Sequence, residues 1–238
     1  MNKYISVLFT KHKKKLPKRF QGTILDEWIQ YGFLTILSAW TFQGMLMLNW
    51  REIVIKLILD AILIGIFFAM GIPLFVAFLI AHTLNYMFNG QAKAVYNHMG
   101  AGNKSAKSFY EGTVAMKKRI EKADYIDAGI AYGSLSRGCY KRSSDIDIRI
   151  IPADGEWNYW KTCFWALKER CIAFVTDYPL DMYVFTLPVA QRLMRSDELP
   201  IMVVEKNQCA RQTYPKRVEW RDWCEIFKKE QRIESSIN

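Results

Sequence analysis

The stretch YGSLSRGCYKRSSDIDIRI, residues 132–150, decides the fold of this chain. The seven residues before it, YIDAGIA, alternate and lead into Gly133 and Ser134, which predicts a strand that ends in a turn. Beyond the turn, Asp145 and Asp147 are separated by one isoleucine within a β-branched run. Alternate residues of a strand point to the same face, so both carboxylates are expected to project together, about 7 Å apart.

Two carboxylates at this spacing repel each other unless a cation lies between them. Hard divalent ions such as Mg²⁺ prefer carboxylate oxygens and share their remaining positions with substrate phosphates. Paired aspartates beside a turn of small residues therefore indicate metal-assisted phosphoryl chemistry, in which the turn holds the phosphates. Two ordinary alternatives stand beside this one, because a lone Asp-x-Asp is also typical of solvated strand charges and Ser134 is also typical of a helix cap.

The stretch also contains a wider pattern: an apolar residue, Gly-Ser, a gap of about ten residues, then Asp-apolar-Asp-apolar. Its members are Tyr132, Gly133, Ser134, Asp145, Ile146, Asp147 and Ile148. The pattern resembles the signature of the DNA polymerase beta-like nucleotidyltransferase superfamily, and GSLSRG and SSDIDI are most similar to its minimal nucleotidyltransferases. That family carries a third carboxylate on a later strand, and Asp181 in LDMYVF stands in a matching setting. The resemblance covers roughly residues 107–206.

The resemblance implies a two-metal transfer of a nucleotidyl group from a nucleoside triphosphate to an acceptor hydroxyl or phosphate. Asp145 and Asp147 are expected to hold two Mg²⁺ ions, with Mn²⁺ as an alternative. Asp181 is expected to bind the acceptor-side metal and to orient the nucleophile. The residues expected to bind the triphosphate are Gly133, Ser134 and Arg137.

The sequence leaves the acceptor open. Soluble minimal nucleotidyltransferases are often antitoxins that modify a partner protein, and other members of the superfamily modify RNA ends or small antibiotics. The membrane-like first half of this chain favours a lipid-linked, glycan-related or membrane-protein acceptor instead. An alternative of another class is a membrane scaffold or nucleotide sensor that binds triphosphate without turnover.

The amino-acid composition limits the partners and the cellular environment that suit this chain. The chain has 33 Lys and Arg against 23 Asp and Glu, and its net charge of +10 suits nucleotides or anionic lipid, with nucleic acid a less favoured partner. Five cysteines without a Cys-x-x-Cys pair argue against a disulfide framework and indicate a reducing, cytosolic environment. The three histidines are too scattered to indicate a zinc site.

The first half of the chain has a different character. A basic cluster, KHKKKLPKR at 11–19, precedes an aromatic segment that is typical of either an interfacial helix or a core helix. Residues 53–88 are nearly all apolar and are broken at Gly71-Ile72-Pro73, which predicts a helical hairpin whose halves are slightly shorter than a membrane span of about 20 residues. The alternative is a buried pair of helices in a soluble bundle. Basic residues flank both sides, so both ends and the catalytic domain are expected on the cytoplasmic side of a membrane.

The predicted fold class is an α/β (α+β) domain with a mixed sheet and flanking helices, preceded by an all-α membrane-associated region. Apolar residues at helical spacing predict one helix before the first strand and a crossover helix containing Trp160, Phe164, Leu167, Cys171 and Phe174. The expected parts are a basic N-terminus with an interfacial aromatic helix at 1–50, a membrane helical hairpin at 51–90, a linker at 91–106, a nucleotidyltransferase domain at 107–206 and a C-terminal helix at 207–238.

Overall fold

The computed structural model describes residues 37, 39–89, 105–141 and 144–233, and the basic cluster and most of the predicted linker lie outside them. The helices with defined bounds are α1 (Trp50–Ala69), α2 (Leu74–Phe88), α3 (Ala106–Lys122), α4 (Gly133–Ser136), α5 (Glu156–Val175), α6 (Leu187–Arg192), α7 (Cys209–Thr213) and α8 (Trp220–Glu230). The strands are β1 (Ile126–Tyr132), β2 (Ile146–Pro152), β3 (Leu180–Val184), β4 (Ile201–Glu205) and β5 (Val218–Glu219). A 3-10 turn at Met45–Met47 precedes α1.

The five strands form one mixed sheet in the order β3-β2-β1-β4-β5. β1 is antiparallel to both β2 and β4, whereas β2 is parallel to β3 and β4 is parallel to β5. A parallel pair needs a crossover connection, and α5 supplies it between β2 and β3. The predicted α/β fold with a mixed sheet and flanking helices is therefore confirmed.

One face of the sheet packs against α3, α5 and α8 and forms the main core. Ile146, Ile148 and Ile150 of β2 point to this face and are fully buried, which is why the strand is rich in β-branched residues. Helix α8 closes the core through Phe227, whose ring centroid lies 5.8 Å from that of Phe109 on α3. Helix α8 is therefore part of the α/β domain, where it covers one side of the main core.

The opposite face carries the aspartates. Helices α6 and α7 cover part of it, over the apolar side chains of β1. Arg149 of β2 crosses the face with its guanidinium carbon 4.0 Å from the centroid of the Tyr132 ring, and it donates to the carbonyl of Ala190 on α6 at 2.7 Å. Asp147 and Asp181 share this face, because alternate residues of a strand lie on one side.

Helix α5 forms where a crossover helix was predicted, but its apolar stripe contacts the hairpin. The ring centroids of Trp160 and Trp50 on α1 are 5.4 Å apart, and those of Phe174 and Phe88 on α2 are 5.9 Å apart. Phe164 of the same stripe is 55% exposed. The residues of α5 that are buried are Thr162, Cys163, Trp165, Ala166, Glu169, Arg170 and Ala173.

The apolar run at 53–88 forms most of α1 and α2, joined by a tight turn. Asn49 caps α1, because its side chain accepts hydrogen bonds from two backbone N–H groups of the first turn. Gly71 has φ +84°, which favours glycine, and Pro73 immediately precedes the first residue of α2. In the described part of the chain, no helix is both long enough and apolar enough to cross a bilayer.

The base of this hairpin is built into the α/β domain. Glu52 on α1 forms an ion pair with Arg170 on α5, and their side chains are only 2% and 5% exposed. Arg170 also donates to the carbonyl of Met182 on β3, and Ile55 belongs to the main core. The helices of the first half and the sheet of the second half therefore share one core.

Candidate metal centre

Strand pairing brings the three predicted aspartates together. Asp147 on β2 is opposite Tyr132 on β1 and opposite Asp181 on β3, so it lies in the middle of three adjacent strands. Asp145 immediately precedes β2 and lies on the same side as Asp147. One carboxylate oxygen from each aspartate lies within 4.8 Å of the other two, and all three residues are half-buried.

Burial and mutual repulsion raise the pKa values of two aspartates of this cluster. Burial, together with the charges of Asp145 and Asp181, raises the pKa of Asp147 to about 8, and Glu198 adds to the rise. Burial and the charge of Asp145 also raise the pKa of Asp181, against the opposing effects of a hydrogen bond with Tyr183 and of the nearby Arg170. A bound cation would oppose both shifts, because it favours the ionised carboxylates.

Gly133 fits closely against the cluster. It begins α4 directly after β1 with φ +72°, a left-handed conformation that favours glycine. A Cβ at this position would lie 1.6 Å from Oδ2 of Asp147, which is far inside van der Waals contact. Any larger residue would therefore displace the carboxylate, so the turn and the position of the Asp147 carboxylate depend on each other.

Two other residues predicted to bind triphosphate lie on the same turn. The Ser134 hydroxyl oxygen is buried and has no hydrogen-bond partner among the described residues. Arg137 follows α4 and keeps about a third of its side chain exposed. Both side chains are hydrogen-bond donors on the turn whose Gly133 packs against Asp147.

Glu198 is a site residue that the sequence did not reveal. Its carboxylate accepts hydrogen bonds from the backbone N–H of Gly133 at 3.2 Å and of Arg195 at 3.1 Å, and it lies 3.5 Å from the guanidinium of Arg137. Its side chain is only 6% exposed. Glu198 sits in the loop between α6 and β4, and no motif or periodicity distinguishes it there. In this state it occupies two groups expected to meet a phosphate.

No protein-family model, no curated protein and no solved structure matches this chain. The chemistry of the site is therefore the basis for assigning a function. Three half-buried carboxylates offer the hard oxygen ligands that Mg²⁺, Mn²⁺ and Ca²⁺ prefer. The adjacent turn offers donors that suit an anionic group of a substrate.

Proposed function

We propose that the protein is a metal-dependent phosphoryl-transfer enzyme and, more particularly, a nucleotidyltransferase. It moves a nucleoside monophosphate group from a nucleoside triphosphate to an acceptor, with pyrophosphate as the leaving group and loss of the acceptor's proton. The observation that carries the proposal is the convergence of Asp145, Asp147 and Asp181 within 4.8 Å beside a glycine turn. The pattern of residues 132–150, which resembles that of minimal nucleotidyltransferases, supports the narrower assignment.

The aspartates are suited to hold divalent metal, because their burial and mutual repulsion favour a ligand that neutralises them. Asp145 and Asp147 hold the ions, and Asp181 completes the site on the acceptor side. Mg²⁺, or Mn²⁺ in its place, supplies charge neutralisation for the triphosphate and acidifies the acceptor hydroxyl when it is bound. The carboxylates themselves fix the reacting groups in position, which is the main protein contribution in phosphoryl transfer.

The turn after β1 binds the triphosphate. Gly133 allows the backbone to approach closely, Ser134 donates its unpartnered hydroxyl, and Arg137 neutralises phosphate oxygens. Glu198 must release the N–H of Gly133 and the guanidinium of Arg137 before a phosphate occupies them. Triphosphate binding is therefore coupled to a movement of the loop that carries Glu198.

The acceptor belongs to the membrane phase or its surface. The exposed apolar side chains of α1 and α2 favour a lipid-linked, glycan-related or membrane-protein acceptor over a soluble partner protein or RNA. The catalytic domain then faces the cytoplasm, where triphosphates are available. A scaffold that binds triphosphate without turnover is less favoured, because it does not need three converging carboxylates.

The test is transfer of label. The full chain in membranes is incubated with each α-labelled nucleoside triphosphate and Mg²⁺, and lipid, protein and RNA fractions are counted separately. We expect label in the lipid or membrane-protein fraction with one triphosphate, and loss of labelling by at least about 100-fold in Asp147→Asn.

The matched control is Asp154→Asn, which removes an exposed carboxylate from the loop after β2. It should retain full labelling. Equal labelling by Asp147→Asn and the wild-type chain would reject the metal centre. Mn²⁺ binding with no labelling of any fraction would favour the non-catalytic nucleotide-binding alternative.

A further inference from the structure

We propose that the end of the α1–α2 hairpin inserts into one leaflet of an anionic lipid bilayer and anchors the protein without crossing the membrane. The inserted part, called the hairpin tip, is residues 61–78, AILIGIFFAMGIPLFVAF. It contains no charged, amide, hydroxyl or imidazole side chain over eighteen residues. This attachment is separate from the proposed transfer reaction, and either one can hold without the other.

The hairpin tip projects its side chains outward. Met70 and Phe75, on either side of the turn, are 70% and 71% exposed. The large apolar side chains of the hairpin tip that are exposed are Ile62, Ile66, Phe68, Met70, Leu74, Phe75, Val76 and Phe78. Contiguous apolar surface of this kind is costly in water and marks a site of contact with lipid or another protein.

Below the hairpin tip, three polar side chains of the hairpin point inward. Asp60, His82 and Asn85 are all at least nine-tenths buried between α1 and α2. Asn85 Nδ2 donates to Asp60 Oδ1 at 2.8 Å, and His82 Nδ1 lies 3.0 Å from Asp60 Oδ2. A water-exposed hairpin places its polar groups outside, so this reversed arrangement favours an apolar surrounding phase.

The backbone hydrogen bonds of the turn between α1 and α2 also suit an apolar surrounding phase. The N–H groups of Met70, Gly71 and Ile72 donate to carbonyls of the last turns of α1, and Pro73 has no N–H. The backbone donors left without a helical partner at this end are those of the first turn of α2. A bilayer penalises unpaired backbone groups, and this turn keeps their number low.

The length of the hairpin tip matches the thickness of one leaflet of a bilayer. At about 1.5 Å of rise per residue, the 61–69 part of α1 reaches about 13 Å. The hydrocarbon core is about 30 Å thick, so one leaflet is about 15 Å. The described helices are not long and apolar enough to cross, which agrees with insertion to the midplane.

An aromatic side chain lies where headgroups would be. Trp40 packs against His82 with ring centroids 4.6 Å apart, and its Nε1–H donates to Thr83, so it sits just below the hairpin tip. Tryptophan prefers this interfacial depth. The net charge of +10 and the KHKKKLPKR sequence at 11–19 favour a leaflet that contains anionic lipid.

The test uses flotation of the purified full chain with vesicles. Vesicles of phosphatidylcholine with phosphatidylglycerol should carry the wild-type chain upward at low and at high salt. The double variant Ile66→Asp, Phe75→Asp should partition at least about tenfold more weakly, because a carboxylate is costly inside a bilayer. Both positions are about half exposed or more, so the variant retains its core.

Val175→Asp is the matched control, since Val175 is 79% exposed at the end of α5, next to the base of the hairpin and away from its tip. It should float like the wild type. The depth is measured with a fluorophore on Met70→Cys, after replacement of the exposed Cys139 and Cys209 by serine. Quenching by lipids labelled near the midplane should exceed quenching by headgroup-labelled lipids.

Three results would overturn the proposal. The first is unchanged flotation of the double variant. The second is release of the wild-type chain by high salt, which indicates an electrostatic attachment through basic residues alone. The third is failure to float combined with a dimer that the double variant converts to a monomer in light scattering, which means that a second copy covers the hairpin tip.

Discussion

At the residue scale, Asp147 has the most constrained position in the site. It lies between Asp145 and Asp181, and Gly133 packs directly against its carboxylate. Burial and these neighbours keep its pKa near 8, so the metal-free folded protein holds a proton there that the unfolded chain releases. The effect of this raised pKa on the free energy of unfolding can be measured without knowledge of the substrate.

We therefore expect Asp147→Asn to change how stability depends on pH. Between the ordinary pKa of 3.8 and about 8, the folded protein binds more protons than the unfolded chain, so the free energy of unfolding falls as pH rises. An asparagine does not ionise, and the variant lacks this fall. Calorimetry in EDTA should show that the melting temperature of the variant, relative to that of the wild type, rises from pH 4 to pH 8. The rise should be about 2–4 °C for each kcal/mol by which the free energy of unfolding of the wild type falls relative to that of the variant.

Metal provides the control for this prediction. Mg²⁺ or Mn²⁺ at pH 8 should raise the melting temperature of the wild type, because binding only to the folded state stabilises it. Asp147→Asn should respond much less. Melting curves that stay parallel from pH 4 to 8 would mean that Asp147 is not protonated in the folded protein.

Glu198→Gln is expected to strengthen triphosphate binding. Glutamine still accepts the hydrogen bond from Gly133, but it releases Arg137 and removes a negative charge beside the site. A gain of about 1 kcal/mol corresponds to a roughly fivefold lower Kd for the triphosphate, measured by calorimetric titration with Ca²⁺ to prevent turnover.

Arg137→Gln is the matched variant, and it should raise the same Kd because a phosphate loses its charged partner. In the double variant the benefit of Glu198→Gln that comes from freeing Arg137 should disappear. Weaker binding by Glu198→Gln alone would show instead that Glu198 is required to shape the turn.

At the scale of secondary structure elements, the contact between α1 and α5 holds the two halves of the chain together. Glu52 and Arg170 are buried, and Glu52 also accepts hydrogen bonds from Asn49 Nδ2 at 2.6 Å and from the N–H of Val184 at 3.3 Å. One carboxylate thus links the start of α1, helix α5 and strand β3. Its neighbour Arg51 forms a more exposed pair with Glu156.

Glu52→Gln should destabilise the protein by about 3–5 kcal/mol, because it leaves the buried Arg170 without a charged partner. Glu156→Gln removes the partner of Arg51 at a site where the glutamate is 59% exposed, so it should destabilise the protein much less than Glu52→Gln does. Urea unfolding of both variants gives the comparison. Equal costs would mean that water reaches Arg170 and that the base of the hairpin is loosely docked.

At the scale of the whole molecule, the base of the hairpin and the sheet share one hydrophobic core. Residues that the sequence assigns to a separate membrane part, Glu52 and Ile55, complete the core of the domain that carries the aspartates. The described hairpin therefore has two different ends. Its base is buried against α5, and its tip is exposed.

We expect a chain that begins at residue 101 to be much less stable than the full chain. It lacks Glu52 and Ile55, so Arg170 loses its partner and part of the main core is exposed to water. Near-ultraviolet circular dichroism and calorimetry should show weak tertiary packing. Arg170→Met in the short chain should restore part of the stability, and a short chain with the melting temperature of the full chain would contradict the shared core.

Local sequence determined several of the elements and two of the three aspartates, but the expected C-terminal helix at 207–238 is α7, β5 and α8 in the structure. Alternation around the Gly133 turn predicted β1 and β2, and the Asp145–Asp147 spacing placed both carboxylates on one face, because these features depend only on neighbouring residues. Helical spacing likewise predicted α3, α5 and α8, and the Gly71–Pro73 break predicted the turn between α1 and α2. The pairing with Asp181 came from the family resemblance, and the sequence had no local means to derive it.

The tertiary structure decided which distant groups meet. The parallel register of β2 and β3 sets Asp181 opposite Asp147, and the loop before β4 brings Glu198 onto Gly133, across separations that no periodicity encodes. It also turned Asp60, His82 and Asn85 inward and the hairpin tip outward, whereas hydropathy alone is the same for a buried and an exposed helix. Composition and periodicity report what each segment prefers, and only long-range packing fixes which faces touch one another and which stay exposed.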